Sequence, residues 1–194
     1  MDVNMNKSLA QDKVLILYVL SNVKTDVTES DIFKIISPVN NINYFYFKQI
    51  LADLVDSKLV QTYTKDEDAD EKQVLYKLTF DGQNSLNLTI DVLPGLLKLK
   101  IDNVLKNELN NEDIISMCFT MTKDLDAVYP AVAVREILDI HDIPMLNYEE
   151  KHIQGSLSKC IRVMMYINTE KTKADIKHIY LNNAKNLRKD LINK

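Results

Sequence analysis

The chain has 194 residues, of which 46% are hydrophobic and 27% charged, and its formal net charge is −4. This length fits one large domain or two small ones, and the composition is that of a folded protein rather than a disordered one. The acidic balance argues against a general nucleic-acid coat protein.

The longest unbroken apolar run, residues 14–20, is far shorter than the roughly 20 residues of a membrane span. The first residues also lack the basic and apolar regions of a signal peptide. We therefore expect a cytoplasmic protein with no membrane partner.

Residues that could carry catalysis or bind a metal are sparse. Cys118 and Cys160 stand alone in apolar segments, which predicts buried free thiols. His141, His152 and His178 are scattered without the spacing of a metal site, and a site assembled from distant elements has no positive support. Neither a glycine-rich phosphate loop nor a GxSxG motif is present. We therefore expect no cofactor and no enzymatic activity.

Three helices are predicted at the start of the chain. The first covers residues 9–22 and is apolar nearly all round, so it should be deeply buried. The second follows Thr28, which forms a helix cap with an acid three residues on, and ends before Pro38. The third begins after Asn43, another favoured capping residue, and runs to about residue 56.

A hairpin follows the helices. Residues 60–64 and 73–79 carry strand signals and flank a polar loop, residues 65–72, that contains five acids. Thr79 is predicted to cap a short helical turn, and a longer amphipathic helix is predicted after Pro94.

The second half of the chain predicts a small β-sheet. Residues 115–121 alternate between apolar and small or polar side chains, and residues 131–138 and 160–167 are two more candidate strands. The residues between these last two are predicted to form a long loop. A closing helix is predicted from about Thr172, with one apolar face.

These elements predict an α+β protein: an N-terminal winged helix-turn-helix, a linking helix, and a small antiparallel β-sheet packed by a C-terminal helix. Three helices followed at once by a hairpin are typical of a winged helix, in which the third helix enters the DNA major groove. The predicted domains are residues 1–90 for DNA binding, residues 91–110 for the linking helix, and residues 111–194 for dimerisation or ligand sensing.

Nine residues of the third helix, the hairpin and the turn after it share one pattern: Leu51, Leu54, Leu59, Val60, Tyr76, Leu78, Thr79, Gly82 and Leu86. This stretch resembles the corresponding segment of the MarR and PadR classes of bacterial regulator, which implies a DNA-binding winged helix. One departure is Lys58, where those proteins usually have a glycine that ends the helix.

A closer resemblance is to an uncharacterised family of Firmicutes proteins with a domain of unknown function. Residues 9–20, 43–59 and 93–101 carry the match, and it covers the first 105 or so residues well. The resemblance implies transcription regulation, a role inferred in that family from the fold alone.

Helical phase sorts the side chains of the predicted third helix. With Phe47 at zero and about 100° per residue, Leu51 and Leu54 fall within about 40° of it. Tyr44 and Ile50 lie near 60° to either side, so all five are predicted to be core residues.

The opposite side of this helix carries groups that suit DNA. Asn43, Tyr46, Lys48 and Gln49 offer hydrogen bonds to bases or phosphates, and Phe45 offers an apolar contact to a thymine methyl. These five are the predicted reading surface. The open alternative is that Phe45 packs under a loop or a partner subunit and that the polar residues are simply solvated.

The wing supplies Lys65 and Lys72 as further candidate DNA contacts. Two features weigh against DNA binding, because Asp53 and Asp56 share the reading side and residues 66–71 are mostly acidic. Acids beside phosphate oppose the counterion release that drives binding.

Two functional hypotheses follow. The first is a bacterial transcription regulator that binds duplex DNA as a homodimer, with the second half dimerising or binding a small-molecule effector. Its methionines could line an adaptable pocket, although core filling is the commoner role: Met117, Met121, Met164 and Met165. The alternative is a winged-helix protein–protein interaction module without DNA binding.

Overall fold

The computed structural model describes the backbone of residues 2–65 and 73–192, with side chains for residues 9–65 and 73–191. The chain divides into two compact units, Met1–Pro94 (unit 1) and Gly95–Lys194 (unit 2). Both contain helices and a small sheet, so the α+β prediction is confirmed. The predicted wing contact Lys72 and the acidic residues 66–71 lie outside the described residues. Which function belongs to residues 1–90, 91–110 and 111–194 stays a prediction.

Unit 1 contains three helices, then a hairpin and a fourth helix. Its elements are α1 (Asp2–Asn22), β1 (Val27–Thr28), α2 (Glu29–Ile36), α3 (Tyr44–Asp56), β2 (Val60–Lys65), β3 (Gln73–Leu78), α4 (Phe80–Thr89) and a 3₁₀ turn (Ile90–Val92). The strands form one antiparallel sheet in the order β1-β3-β2, in which Val27 and Thr62 both pair with Tyr76.

Local capping sets where the helices of unit 1 begin. The Thr28 side chain accepts a hydrogen bond from the Asp31 N–H, and the Asp31 carboxylate accepts one from the Thr28 N–H, as the sequence predicts. Asn43 Oδ1 accepts from the Phe45 N–H at 2.8 Å, so α3 begins where its capping residue predicts. Every residue from 14 to 20 of α1 is buried, which confirms a helix that is apolar all round.

The end of α3 explains how Lys58 can stand where the MarR and PadR pattern has a glycine. This residue has φ 61°, the left-handed conformation that glycine usually supplies after a helix. The Leu59 N–H then donates to the Leu54 carbonyl at 3.0 Å and closes the last turn. The chain therefore keeps the glycine-type helix end with a lysine in place of the glycine.

Unit 2 contains a mixed sheet with helices. Its elements are α5 (Gly95–Asn107), a 3₁₀ turn (Asn111–Asp113), β4 (Ile114–Met121), α6 (Pro130–Leu138), β5 (Met145–Glu149), β6 (Ile161–Ile167), a 3₁₀ helix (Asn182–Leu187) and α7 (Lys189–Ile192). The strand order is β5-β4-β6, with β4 parallel to β5 and antiparallel to β6.

The predicted all-antiparallel sheet is therefore wrong, and so is the predicted strand over residues 131–138. That segment is α6, with Pro130 in its first turn and Ala131, Val134 and Leu138 buried on one face. A short run rich in alanine and valine fits either element, and packing of α6 against α5 decides between them. The missing third strand, β5, comes from residues predicted to be a loop.

The predicted helix from Thr172 is also wrong, because residues 172–181 have no regular structure. Asn107 at the end of α5 binds this segment through its side-chain amide. Its Oδ1 accepts from the Lys177 N–H at 2.7 Å and its Nδ2 donates to the Lys177 carbonyl at 2.9 Å. These two backbone groups are the ones that a helix would use internally, so the contact replaces helical hydrogen bonding.

Among the described helices, none is long and apolar enough to cross a membrane.

Candidate functional site

The predicted reading surface of unit 1 points outward on α3. Phe45 is 80% exposed and Tyr46 37% exposed, while Lys48, Gln49 and the capping residue Asn43 are also exposed. On the other side of the helix, four of the five predicted core residues are buried: Phe47, Ile50, Leu51 and Leu54. Placement thus agrees with helical phase, whereas the DNA-binding role of these residues stays a prediction.

Tyr44 is the exception, and its assignment to the core is wrong. It is 41% exposed, and its ring packs edge-on against Phe33 of α2 with 5.0 Å between the ring centroids. The hydroxyl reaches past that contact and donates to Glu29 Oε1 at 2.5 Å. A tyrosine in the first turn can cover the core with its ring while its polar tip stays in solvent.

Lysines on this part of unit 1 form ion pairs with acidic side chains. Lys48 Nζ lies 3.4 Å from Glu29, and Lys65 Nζ lies 3.1 Å from Asp26. Asp53, which the sequence places beside the reading surface, lies 3.5 Å from Lys13 of α1. Residues 1–94 also contain no arginine, the side chain that most often contacts guanine.

A second candidate site lies at one end of the sheet in unit 2. Glu150 follows β5, and its N–H donates to the Met121 carbonyl at 2.8 Å. Its carboxylate accepts from the Thr120 hydroxyl at 2.5 Å and from Arg162 Nη1. Sheet register also places Thr120, Tyr148 and Arg162 on the same face, so this face combines a fixed carboxylate, a guanidinium and a phenol.

Electrostatics fixes the protonation states in this cluster, which we call the Arg162 cluster (Thr120, Glu150 and Arg162). The hydrogen bond from Arg162 lowers the pKa of the Glu150 carboxyl, helped by the Thr120 hydroxyl and opposed by partial burial. Glu150 is therefore an anion at neutral pH. Burial raises the pKa of the neighbouring Cys160 thiol, so this cysteine stays protonated and is a poor nucleophile.

The sheet face that carries the Arg162 cluster is open. Four side chains on this face are each at least 50% exposed: Leu146, Tyr148, Met164 and Tyr166. The opposite face is buried, with Phe119 fully covered. A cavity of about 30 Å³ remains on that buried side, lined in part by Met117 and Met165. This volume is well below the roughly 300 Å³ of a typical metabolite site.

The three arginines of the chain all lie in unit 2, at positions 135, 162 and 188. Arg135 is half-buried on α6, and Arg188 makes a two-point contact with Asp190 at 2.9 and 2.7 Å. Among the described residues, no group of three histidine, cysteine or acidic side chains is arranged to hold a metal ion.

Comparisons with known proteins identify two families. The family model described as chorismate mutase type I matches residues 88–191, and the model described as a domain of unknown function, DUF4364, matches residues 12–127. The chorismate mutase AroH of Bacillus subtilis is 41% identical over 86 residues, covering 44% of this chain and 68% of the relative. The Thermus thermophilus chorismate mutase AroH is 39% identical over 80 residues, covering 41% of this chain and 65% of that relative.

Two solved structures are also similar to parts of this chain. A chorismate mutase from Clostridium thermocellum has 51% sequence identity and a TM-score of 0.43, covering 45% of this chain and 78% of that chain. The Bacillus subtilis PadR structure in complex with operator DNA has 17% identity and a TM-score of 0.35, covering 52% of this chain and 60% of that one. At these TM-scores neither superposition carries an argument about function.

The expectation of no enzymatic activity is therefore wrong, because the C-terminal half of the chain is homologous to enzymes. The absence of a nucleophile motif, a metal-ligand spacing and a phosphate loop from the sequence does not exclude an enzyme, for a chemical reason. An isomerisation can proceed with only arginine, carboxylate and hydroxyl groups, none of which forms a distinctive short motif. The concentration of arginine in unit 2 was the available signal.

The uncharacterised family expected from the sequence is confirmed by the DUF4364 match. The chain thus belongs to the DUF4364 family over residues 12–127 and to the chorismate mutase type I family over residues 88–191.

Proposed function

We propose that unit 2 binds chorismate and catalyses its isomerisation, and that unit 1 is a winged helix that binds duplex DNA. The observation that carries the first part is the Arg162 cluster, which lies within residues 88–191, the stretch matched by the chorismate mutase type I family model. The matched stretch spans 68% and 65% of those two relatives, so roughly a third of each has no counterpart in it.

The chemistry of the proposed substrate suits this cluster. Chorismate is a dicarboxylate, and a guanidinium is the side chain that binds a carboxylate by two parallel hydrogen bonds. Arg162 uses Nη1 on Glu150, and its remaining N–H groups are available on an exposed side chain. A mutase moves a group within one molecule, so substrate and product contain the same atoms and no co-reactant is needed.

In this proposal each member of the Arg162 cluster has a separate role. Arg162 binds a substrate oxygen and stabilises negative charge that grows there in the transition state. Glu150 holds the guanidinium in one orientation, and the Thr120 hydroxyl holds Glu150. Preorganised groups of this kind accelerate a reaction because they need not reorient as charge develops.

The test is chorismate consumption by the full chain, followed by nuclear magnetic resonance of substrate and product. Arg162→Ala should lower kcat/KM by about 100-fold or more, the effect of removing one transition-state hydrogen-bond donor. Lys173→Ala removes an exposed cation from the same unit and is the matched control, with unchanged activity expected. Binding without turnover would refute catalysis, and the absence of both would refute the proposal for unit 2.

The winged-helix assignment of unit 1 is supported by its element order and by α3, which presents Phe45, Tyr46, Lys48 and Gln49 to solvent. In a homodimer, two α3 helices about 34–36 Å apart would meet successive turns of the major groove. The exposed apolar side chains on the open sheet face of unit 2 support self-association, since patches of this kind mark interaction surfaces.

Fluorescence anisotropy with labelled duplex DNA tests this part. We expect binding that weakens steeply with salt, and we expect Lys48→Ala with Gln49→Ala to abolish most of it. An unchanged affinity in that double variant would refute the reading surface. Chorismate is the proposed small-molecule effector, so the same titration with and without chorismate should give different DNA affinities.

A protein–protein interaction module is the second candidate function of unit 1. The pairing of Lys48 with Glu29 and of Lys65 with Asp26 favours it, because paired cations attract phosphate less. No DNA binding at low salt, together with a stable homodimer by light scattering, would select this candidate.

A further inference from the structure

Glu29, the first residue of α2, contacts two hydrogen-bond donors of α3. Its Oε1 accepts from the Tyr44 hydroxyl at 2.5 Å and lies 3.4 Å from Lys48 Nζ. The Lys48 ammonium also lies 5.6 Å from the centroid of the Tyr44 ring, so the three groups form one compact cluster.

Asp26 repeats this arrangement just before β1. Its Oδ2 lies 3.1 Å from Lys65 Nζ, and the Tyr63 side chain is near enough to the carboxylate to act on its pKa. The Tyr63 hydrogen bond, followed by the one from Lys65, lowers the pKa of the Asp26 carboxyl, so the acid is fully ionised near neutral pH. Each of the two acids thus receives one phenol and one ammonium.

A phenol O–H and a lysine ammonium that converge on one oxygen are also a donor set that proteins use for DNA phosphates. In both clusters a carboxylate of the protein occupies the place of such an oxygen. Stabilisation of the N-terminus of α2 explains a negative charge at Glu29. That reason does not extend to Asp26, which precedes β1 and lies outside any helix.

We propose that Asp26 and Glu29 are internal occupants of two phosphate-binding positions on unit 1, which the DNA backbone must displace to reach Lys65 and Lys48. This inference rests on the DNA-binding function proposed for unit 1. Displacement is feasible because the acids and lysines are all partly exposed, and exposed ion pairs contribute little to stability. The two acids lower DNA affinity and make it less dependent on salt.

The test compares wild type with Asp26→Asn, with Glu29→Gln and with the double variant, using random-sequence duplex DNA at 50 and 200 mM KCl. The amides keep the shape of the acids and remove their charge. Each phosphate contact steepens the salt dependence by a power of about 0.9. A fourfold change in salt should therefore reduce affinity by about a further 3.5-fold for each single variant, and about 12-fold for the double variant.

Two controls separate this effect from a general change of charge. Asp91→Asn makes the same change of net charge on the turn after α4, outside both clusters, and should leave the slope near that of wild type. Adding Lys48→Ala to Glu29→Gln should remove the steeper salt dependence expected of Glu29→Gln alone, because the proposed phosphate contact is then absent.

The outcomes are distinguishable. Steeper salt dependence in the variants supports the inference, including the case in which only the variants bind. DNA binding by wild type with unchanged or weaker binding by the variants overturns the inference and leaves the DNA-binding function standing. No binding by wild type or any variant at 50 mM KCl overturns both.

Discussion

Gly82→Ala should destabilise unit 1 severely, because no space exists for a methyl group at this position. A Cβ on Gly82 would lie 2.0 Å from the Leu59 carbonyl oxygen and 2.8 Å from Leu78 Cδ1. That oxygen is also the acceptor for the Thr79 N–H at 3.1 Å and the Thr79 hydroxyl at 3.0 Å. The glycine therefore allows α4 to pack directly on the backbone where α3 meets β2.

The magnitude follows from three contributions. Retreat of the backbone to a normal contact distance costs about 2 kcal/mol as overpacking. Loss or weakening of the two Thr79 hydrogen bonds costs about 1 kcal/mol each. The better helix propensity of alanine offsets about 1 kcal/mol of this cost, so we expect the free energy of unfolding to fall by about 3 kcal/mol. For a unit of this size that corresponds to a fall in Tm of about 12–24 °C.

Differential scanning calorimetry of the full chain measures this loss, and Gly95→Ala is the matched control. Gly95 is the first residue of α5, and a Cβ there meets nothing within 4 Å. We expect Gly95→Ala to leave Tm unchanged or to raise it slightly. A loss below about 1 kcal/mol for Gly82→Ala, or one equal to that of Gly95→Ala, would refute the packing argument.

Three further substitutions test local features. Lys58→Gly should raise the free energy of unfolding by about 1 kcal/mol in a urea titration, because glycine adopts φ 61° without strain. Asn147→Ala should lower it by about 1 kcal/mol, because Asn147 Oδ1 accepts from the Ala131 N–H at the start of α6 at 3.1 Å. Burial lowers the pKa of Lys100 to about 8, so the unfolded state binds more protons between pH 8 and about 10.4. Stability should rise with pH across that window in wild type, and Lys100→Met should remove the rise.

Each of these predictions has an outcome that contradicts it. Ser57 has φ −77°, so Ser57→Gly should lower the free energy of unfolding. A similar decrease for Lys58→Gly would show that the positive φ of Lys58 does not strain the protein. Asn147→Asp keeps the acceptor and adds a favourable charge near a helix N-terminus, so a loss as large as that of Asn147→Ala would contradict the capping role. An equal slope of stability against pH in wild type and Lys100→Met would contradict titration of Lys100 in that window.

Local signals in the sequence determined most of unit 1. The capping residues Thr28 and Asn43 set the starts of α2 and α3, and the apolar residues 14–20 marked a buried helix. Helical phase separated the buried Phe47 from the exposed Phe45. These features depend on neighbours within a few residues, so a single sequence contains the information needed to infer them.

Tertiary contacts decided most of unit 2. Whether residues 131–138 form a strand or a helix depends on packing of α6 with α5. The irregular segment of residues 172–181 depends on a contact between Lys177 and Asn107, which lies 70 residues earlier in the chain. The parallel pairing of β4 with β5 depends on a strand whose own sequence resembles a loop. Short apolar runs are ambiguous by period alone, and long-range partners settle them.

The candidate sites divide in the same way. For unit 1 the sequence alone selected the side chains that α3 exposes, but only the folded chain places Asp26 and Glu29 against Lys65 and Lys48. For unit 2 the sequence contained Thr120, Glu150 and Arg162 without a recognisable spacing. They meet because three strands bring them to one end of a sheet, and pairing across strands is decided by the tertiary structure.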